Sequence, residues 1–311
     1  MSWGFAIMSR ADFQPAKAVS EKALPIREIS RLTGVNSITL RAWERRYGLI
    51  KPLRTHKGHR LYSHEDVELV KKIQMWLARG LAIGKVSELL AAGQLGQDTG
   101  VENTWQTYVT ELLTIMAHLN SGKLDSFFQQ LFSVYPATLM ADQLITPVLH
   151  KLGQDVFGNS VKKAVLVNRL SEYLLALIQH QHQQVKGPRI GIIQLGNPTE
   201  PLLNVLLHYA LTMNQKQSHL LGVISAAEVI LAIEQLQLES VIIYNHACTR
   251  LGDFRNDIFQ LIQQTSVPVV IGGSLALALK LPVTNNLHVL GGAGQQDILN
   301  CLDCIFPAAS L

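Results

Sequence analysis

Thr39-Leu40-Arg41-Ala42-Trp43-Glu44-Arg45-Arg46-Tyr47-Gly48-Leu49, followed by Pro52-Leu53-Arg54-Thr55-His56-Lys57-Gly58-His59-Arg60-Leu61-Tyr62, is the stretch on which the reading of this chain turns. In the first run Leu40, Trp43 and Tyr47 recur at the spacing of one helix face, leaving Thr39, Arg41, Arg45 and Arg46 free to face a groove. Upstream, Ile26, Ile29 and Leu32 form a shorter apolar stripe, Thr33-Gly34 breaks it, and Asn36 or Ser37 caps the helix that follows. Two short helices joined by so tight a turn predict a helix-turn-helix with a basic outer face. The second run reads as a β-wing, a tight Lys57-Gly58 turn flanked by cations suited to straddling phosphates beside a groove. Ser63 then caps a long helix, with Glu65 and Asp66 in the first turn, where the helix dipole favours acids.

The charge of the chain is concentrated in this region. Residues 23–93 hold 13 lysines and arginines against 6 acids, a net +7, so the overall +4 leaves the remainder mildly acidic. A basic unit of this kind points to double-stranded DNA as partner. At 311 residues and 48% apolar, the chain is long and apolar enough for two or three packed units. Three cysteines, Cys248, Cys301 and Cys304, form no framework of pairs, which argues for a reducing cytoplasm. The start lacks the basic and apolar regions of a signal peptide, and no run is long enough to span a membrane.

Composition divides the chain into a flexible tail (1–22), the winged helix-turn-helix (23–93), a helical bundle (101–186) and an α/β unit (187–311). Ala92 to Gly100 is rich in Gly and Gln and reads as a linker. In the middle zone the apolar sets Trp105/Val109/Leu112/Leu113/Met116, Phe127/Phe128/Leu131/Phe132, Leu144/Val148/Leu152 and Leu166/Leu170/Leu174/Ile178 predict a four-helix bundle. From Arg189 the runs Ile190–Leu195, Ser240–Tyr244, Val267–Ile271 and Leu287–Leu290 read as fully buried parallel strands, with Ser218–Val223 as the second strand in order. Pro201–Met213, Ala226–Leu238, Asp253–Gln264 and Gln295–Ile305 are the crossover helices of a flavodoxin-like, doubly wound parallel sheet. The fold class expected is thus multidomain, α plus α/β.

The quoted runs resemble the MerR family of transcription regulators, over about a quarter of the chain. They are most similar to the branch that includes cobalamin-dependent light sensors and MlrA-like regulators of curli and biofilm genes. The resemblance implies a homodimer on promoter DNA that distorts the spacer so RNA polymerase engages both elements. The DNA-contacting set it implies is Ser37, Thr39, Arg41, Arg45, Arg46, Arg54, Lys57, His59, Arg60 and Tyr62. Ala42 stands where other branches have a tyrosine, so one contact is missing. In the cobalamin proteins of this branch an Asp-x-His-x-x-Gly motif follows the first strand of the α/β unit. Here Pro198, Glu200 and Leu203 take those places. Val156 stands at the corrin-capping tryptophan, and Ala164-Val165 roughly at a Glu-His pair. A carboxylate is a hard donor and a poor substitute for imidazole on a corrin cobalt. Gly272-Gly273 and Gly291-Gly292 follow strands as in cobalamin folds, and such glycines are common at strand ends of any α/β unit. The expectation is a sensor or dimerisation region with no cofactor and no metal, answering to an unknown effector or a protein partner; the alternatives are a cobalamin-dependent photoreceptor regulator with a non-standard cobalt ligand and, in a different class, a cobalamin-type enzyme.

Other candidates carry less. Cys301-x-x-Cys304 lies on an apolar helix without the two further ligands a structural zinc needs, and reads as buried packing. His180 and His182, two apart on a helix, point in different directions and read as solvent-facing. Asp253, Asp257 and Glu228 read as helix-surface charges, and no Gly-rich phosphate loop with a lysine is present, so no enzyme is expected. A basic winged helix that docks acidic proteins or shapes DNA architecturally is the rival within the binding class.

Overall fold

Gly34, at φ +68°, turns the chain sharply between α1 (Ile26–Thr33) and α2 (Ser37–Tyr47), a backbone conformation that glycine adopts without strain. Asn36 settles the cap: its side-chain oxygen accepts the Thr39 amide at 2.8 Å. A two-stranded wing of β2 (Leu53–Arg54) and β3 (Arg60–Tyr62) follows, then α3 (His64–Ala78) and α4 (Ile83–Ala91). Ser63 and Asp66 form a reciprocal capping box at the start of α3. One element was not legible in the sequence. Leu24 and Pro25 form β1, pairing antiparallel with Tyr62 and Leu61, so β3 is the central strand of a three-stranded sheet.

In the computed structural model the described residues are 23–93, 103–182, 185–195, 200–245, 251–274, 276, 285–291 and 294–307, with side chains at 182 and 251–254 left aside. The expected tail (1–22), most of the linker, and the readings made at Pro198, Cys248 and Gly292 lie outside them.

The bundle comprises α5 (Thr104–Ala117), α6 (Ser121–Phe132), a third rod and the long α9 (Asn159–His182). The third rod runs from α7 (Ala137–Leu139) through a π-helical turn (Met140–Ile145) into α8 (Thr146–Leu152). The apolar sets that predicted the helices are buried, apart from half-buried Leu113, and each large apolar side chain removed from water contributes about 1.5–3 kcal/mol.

The α/β unit has β4 (Arg189–Gln194), α10 (Pro201–Met213), β5 (Gln217–Val223), α11 (Ala226–Leu236) and β6 (Ser240–Tyr244). It continues with α12 (Leu251–Gln264), β7 (Val269–Gly272), β8 (Leu287–Val289) and α13 (Gln295–Ile305). The strands pair in parallel in the order β5-β4-β6-β7-β8, the doubly wound arrangement expected. Leu287–Leu290 is not fully buried as read: β8 is an edge strand, covered on one side only, and its residues are half-buried or exposed. Cys304 is likewise exposed and Cys301 half-buried, because their helix packs by Ile298, Leu299 and Leu302 instead. Burial, with Cys304 nearby, pushes the Cys301 thiol up. His180 and Glu228 are exposed and Asp257 is half-buried, while the side chains of His182 and Asp253 lie outside those described. Among the described residues no helix is long and apolar enough to cross a membrane.

One apolar core runs through all three zones, from Ile29 and Trp43 through Phe128 and Leu170 to Leu206 and Leu302. Polar clasps accompany it. The Trp43 indole donates to the Val134 carbonyl at 2.8 Å, and the Trp105 indole donates to Leu77 O at 2.7 Å. Thr138 Oγ1 bonds Gln296 Oε1 at 2.9 Å, and the Gln296 side chain lies against Gly34 in the turn between α1 and α2.

Candidate nucleic-acid interface

Helix α2 presents two faces. Leu40 and Trp43 are fully buried and Tyr47 half-buried, which leaves Arg41, Arg45 and Arg46 exposed and Ser37 half-buried. Thr39 does not join them. It is 0% exposed, a correction to its reading as free to face a groove. The reason is periodicity: Thr39 is four residues before Trp43 and shares its inward face, with its hydroxyl buried and without a partner among the described residues. Arg46 turns toward the bundle, where its Nη1 donates to Ser133 Oγ at 3.4 Å.

The wing is a short antiparallel pair with Leu53 opposite Leu61 and Arg54 opposite Arg60. Its tip closes by Gly58 N donating to Thr55 O at 2.8 Å and Thr55 N to His59 O at 2.9 Å. Gly58 has φ +81°, where a Cβ is disfavoured. Lys57 and His59 stand exposed at this tip, beside His56.

Two arginines directly opposite on neighbouring strands repel each other. Glu44, on α2, removes that repulsion: its Oε1 accepts from Arg54 Nη2 at 2.7 Å and its Oε2 accepts from Arg60 Nε. Burial favours the neutral acid at Glu44, but the hydrogen bonds from Arg60 and Arg54 and their positive charges prevail and hold the carboxyl below its ordinary value. The carboxylate therefore ties the wing to α2, so cations of the two elements are presented together. Glu44 was not singled out in the sequence. The available signal is an acid within a run of arginines, but its partners lie ten and sixteen residues away and meet it only through the hairpin.

Tyr62 needs a second correction. It is 1% exposed, its hydroxyl is buried with no partner among the described residues, and burial, with negative Glu44 nearby, pushes the phenol up to about 12. Pairing of β1 against β3 covers it, so Tyr62 belongs to the core beneath the wing. The geometry thus brings together Arg41, Arg45, Arg54, Lys57, His59 and Arg60 as surface cations and polar groups of one small unit. It removes Thr39 and Tyr62 from that surface.

Residues 24–93 match the family model of the MerR HTH family regulatory protein. This unit is a MerR-family domain. The chain is 35% identical over 127 residues to the HTH-type transcriptional regulator MlrA of Escherichia coli (strain K12), covering 41% of this chain and 51% of that protein. The HTH-type transcriptional repressor CarH of Myxococcus xanthus is 25% identical over 145 residues, covering 44% of this chain and 48% of that protein. The match spans about half the length of these relatives. Among solved structures, a cobalamin-binding protein from Desulfitobacterium hafniense DCB-2 aligns with 63% of this chain and 97% of its own at 14% identity, with a TM-score of 0.31. Among the described residues no group of three His, Cys, Asp or Glu is placed to hold a metal ion.

Proposed function

We propose that this chain is a DNA-binding transcriptional regulator that acts as a homodimer at promoter DNA, together with RNA polymerase. Residues 23–93 contact DNA, and residues 101–186 and 187–311 form the dimerisation and sensor half. The observation that carries the reading is the Glu44 bridge, which holds the wing arginines against α2 beside exposed Arg41 and Arg45. A fixed spacing between helix and wing is what phosphate contacts on either side of a groove require. The contacting set is Ser37, Arg41, Arg45, Arg46, Arg54, Lys57, His59 and Arg60. Arg46 reaches DNA once it leaves Ser133.

Fluorescence anisotropy of the full chain on labelled fragments from its own upstream region and neighbouring promoters tests this. Saturable binding that weakens steeply with salt and protects a pseudo-palindrome supports the reading. No binding to any fragment in dilute salt sinks it.

The sensor half, in this reading, does not hold cobalamin, and the residues do not fit the group. Glu200 stands where the branch resemblance calls for the cobalt-ligating imidazole, and its Oε1 takes the Lys163 ammonium at 2.7 Å. A carboxylate is a hard donor, and this one already holds an ammonium on one of its two oxygens. Leu202 and Leu203, just after it, are packed at 0% and 1% exposure, where a cofactor tail would need room. Val156 is an exposed side chain. Reconstitution with adenosylcobalamin in the dark decides the point, since stoichiometric uptake would overturn it.

A further inference from the structure

Lys186 to Pro188, Asn214 to Lys216 and Glu239 lie just before β4, β5 and β6, at the end of the sheet opposite the crevice in which doubly wound folds bind ligands. Between these residues, the end of α13 and helix α1 of the MerR domain opens a cleft of about 380 Å³. That volume falls within the range of small-molecule sites.

Two ion pairs lie in its walls. Lys216, 5% exposed along its side chain, bonds Asp303 at 2.6 Å, and Arg31 of α1 bonds Glu28 at 2.6 Å. Glu239, exposed, accepts the backbone N–H of Arg189 at 3.0 Å and keeps its negative charge, so the lining carries four cations against three acids. Two cations are left over. Arg27 on the MerR side and Lys186 on the α/β side are exposed and have no ion-pair or hydrogen-bond partner among the described residues. Asn214, 5% exposed and lining the cleft, donates its Nδ2 to Ala210 O at 2.7 Å, while its Oδ1 is buried with no partner among the described residues. A buried acceptor left unpaired is unfavourable until a donor arrives.

We infer that this cleft binds a small metabolite carrying an anionic group, phosphate or carboxylate, and at least one O–H or N–H donor. Arg27 and Lys186 take the anion from opposite lips, one as a planar fork and one as a point charge, and Asn214 turns its side chain to bring the buried Oδ1 to the cleft, where it accepts from the donor. Because the lips belong to different units, the ligand ties α1 of the MerR domain to the α/β unit. The inference rests on the proposed regulatory function only for coupling to DNA. The site itself is read without DNA, so the two can fail separately.

Isothermal titration of the full chain uses glycerol 3-phosphate and L-malate, each an anion with a hydroxyl donor, and sulfate as an anion without one. At least one of the first two should bind one per chain, about tenfold or more tighter than sulfate. The doubly substituted Arg27→Glu, Lys186→Glu chain should weaken it by about tenfold or more. Both side chains are exposed and unpaired, so the thermal midpoint of that variant should match the parent's. Lys57→Glu, on the wing, should leave binding unchanged. The inference is overturned if neither probe saturates, if sulfate binds as tightly, or if binding survives the double substitution. Loss through Lys57→Glu instead would assign the anion to the wing and overturn it equally.

Discussion

Asp142 sits in the π-helical turn of the bundle, where its Oδ1 faces the Gln295 amide at 3.5 Å at the start of α13. Burial raises its pKa from 3.8 to about 6; the Gln295 backbone bond opposes the shift and Asp297 reinforces it. Tyr244, buried nearby, feels its charge. A carboxyl whose folded pKa lies above its unfolded value favours the protonated native state. The stability it contributes is therefore full below about pH 3.8 and is lost as pH rises through about 6. At ~1.4 kcal/mol per pH unit, a rise from 3.8 to about 6 amounts to ~3 kcal/mol of destabilisation above neutrality. Asp142→Asn keeps the acceptor and removes the charge. It should stabilise the chain at pH 7.5 by about 1–3 kcal/mol and have no stabilising effect near pH 4. Urea denaturation followed by tryptophan fluorescence at pH 4.5, 6 and 7.5 reads both ends of this window. If Asp142→Asn is neutral or destabilising at pH 7.5, or if its effect does not change with pH, the argument from burial is refuted.

Trp43→Phe should lower stability by about 2–3 kcal/mol, because the Val134 carbonyl loses its donor and the site loses volume; a change under about 0.5 kcal/mol in urea denaturation would show the clasp to be idle. Arg41→Ala should weaken operator binding in anisotropy titrations, and unchanged affinity would remove Arg41 from the interface. Lys57→Ala, at the unpaired tip of the wing, should lower the salt slope of DNA binding by about one, as loss of one phosphate contact does. Arg60→Ala should weaken binding more than Lys57→Ala, since it also leaves Glu44 with one partner and a negative charge near DNA. Equal losses would count against the Glu44 bridge.

Much of the architecture is written in short-range pattern. The 3.6-residue stripes of Trp105 to Met116 and Leu166 to Ile178, and the apolar runs of β4 and β6, are local signals that any folded form must bury. The crossover helices Pro201–Met213 and Gln295–Ile305 begin and end where the sequence puts them, the first opened by a proline and the second following Gly294. The cations of α2 and the wing are legible for the same reason, being the residues left outside when the apolar ones turn inward. Thr39 and Tyr62 show the limit. A polar residue on an inward face reads as surface chemistry until the neighbour that covers it is known, and for Tyr62 that neighbour is a two-residue strand without pattern of its own.

Sequence by itself determined the helix-turn-helix, the wing, the bundle and the parallel sheet, because each rests on periodicity and turn chemistry within a few dozen residues. Tertiary structure alone decided that Glu44 joins Arg54 to Arg60, that Trp43 reaches Val134, that Lys163 occupies Glu200, and that α1 and α13 enclose a cleft. Those relations depend on residues from ten to 280 positions apart in the chain being brought together. Nothing in local spacing encodes such a meeting; only the packed core, by fixing the elements against one another, does.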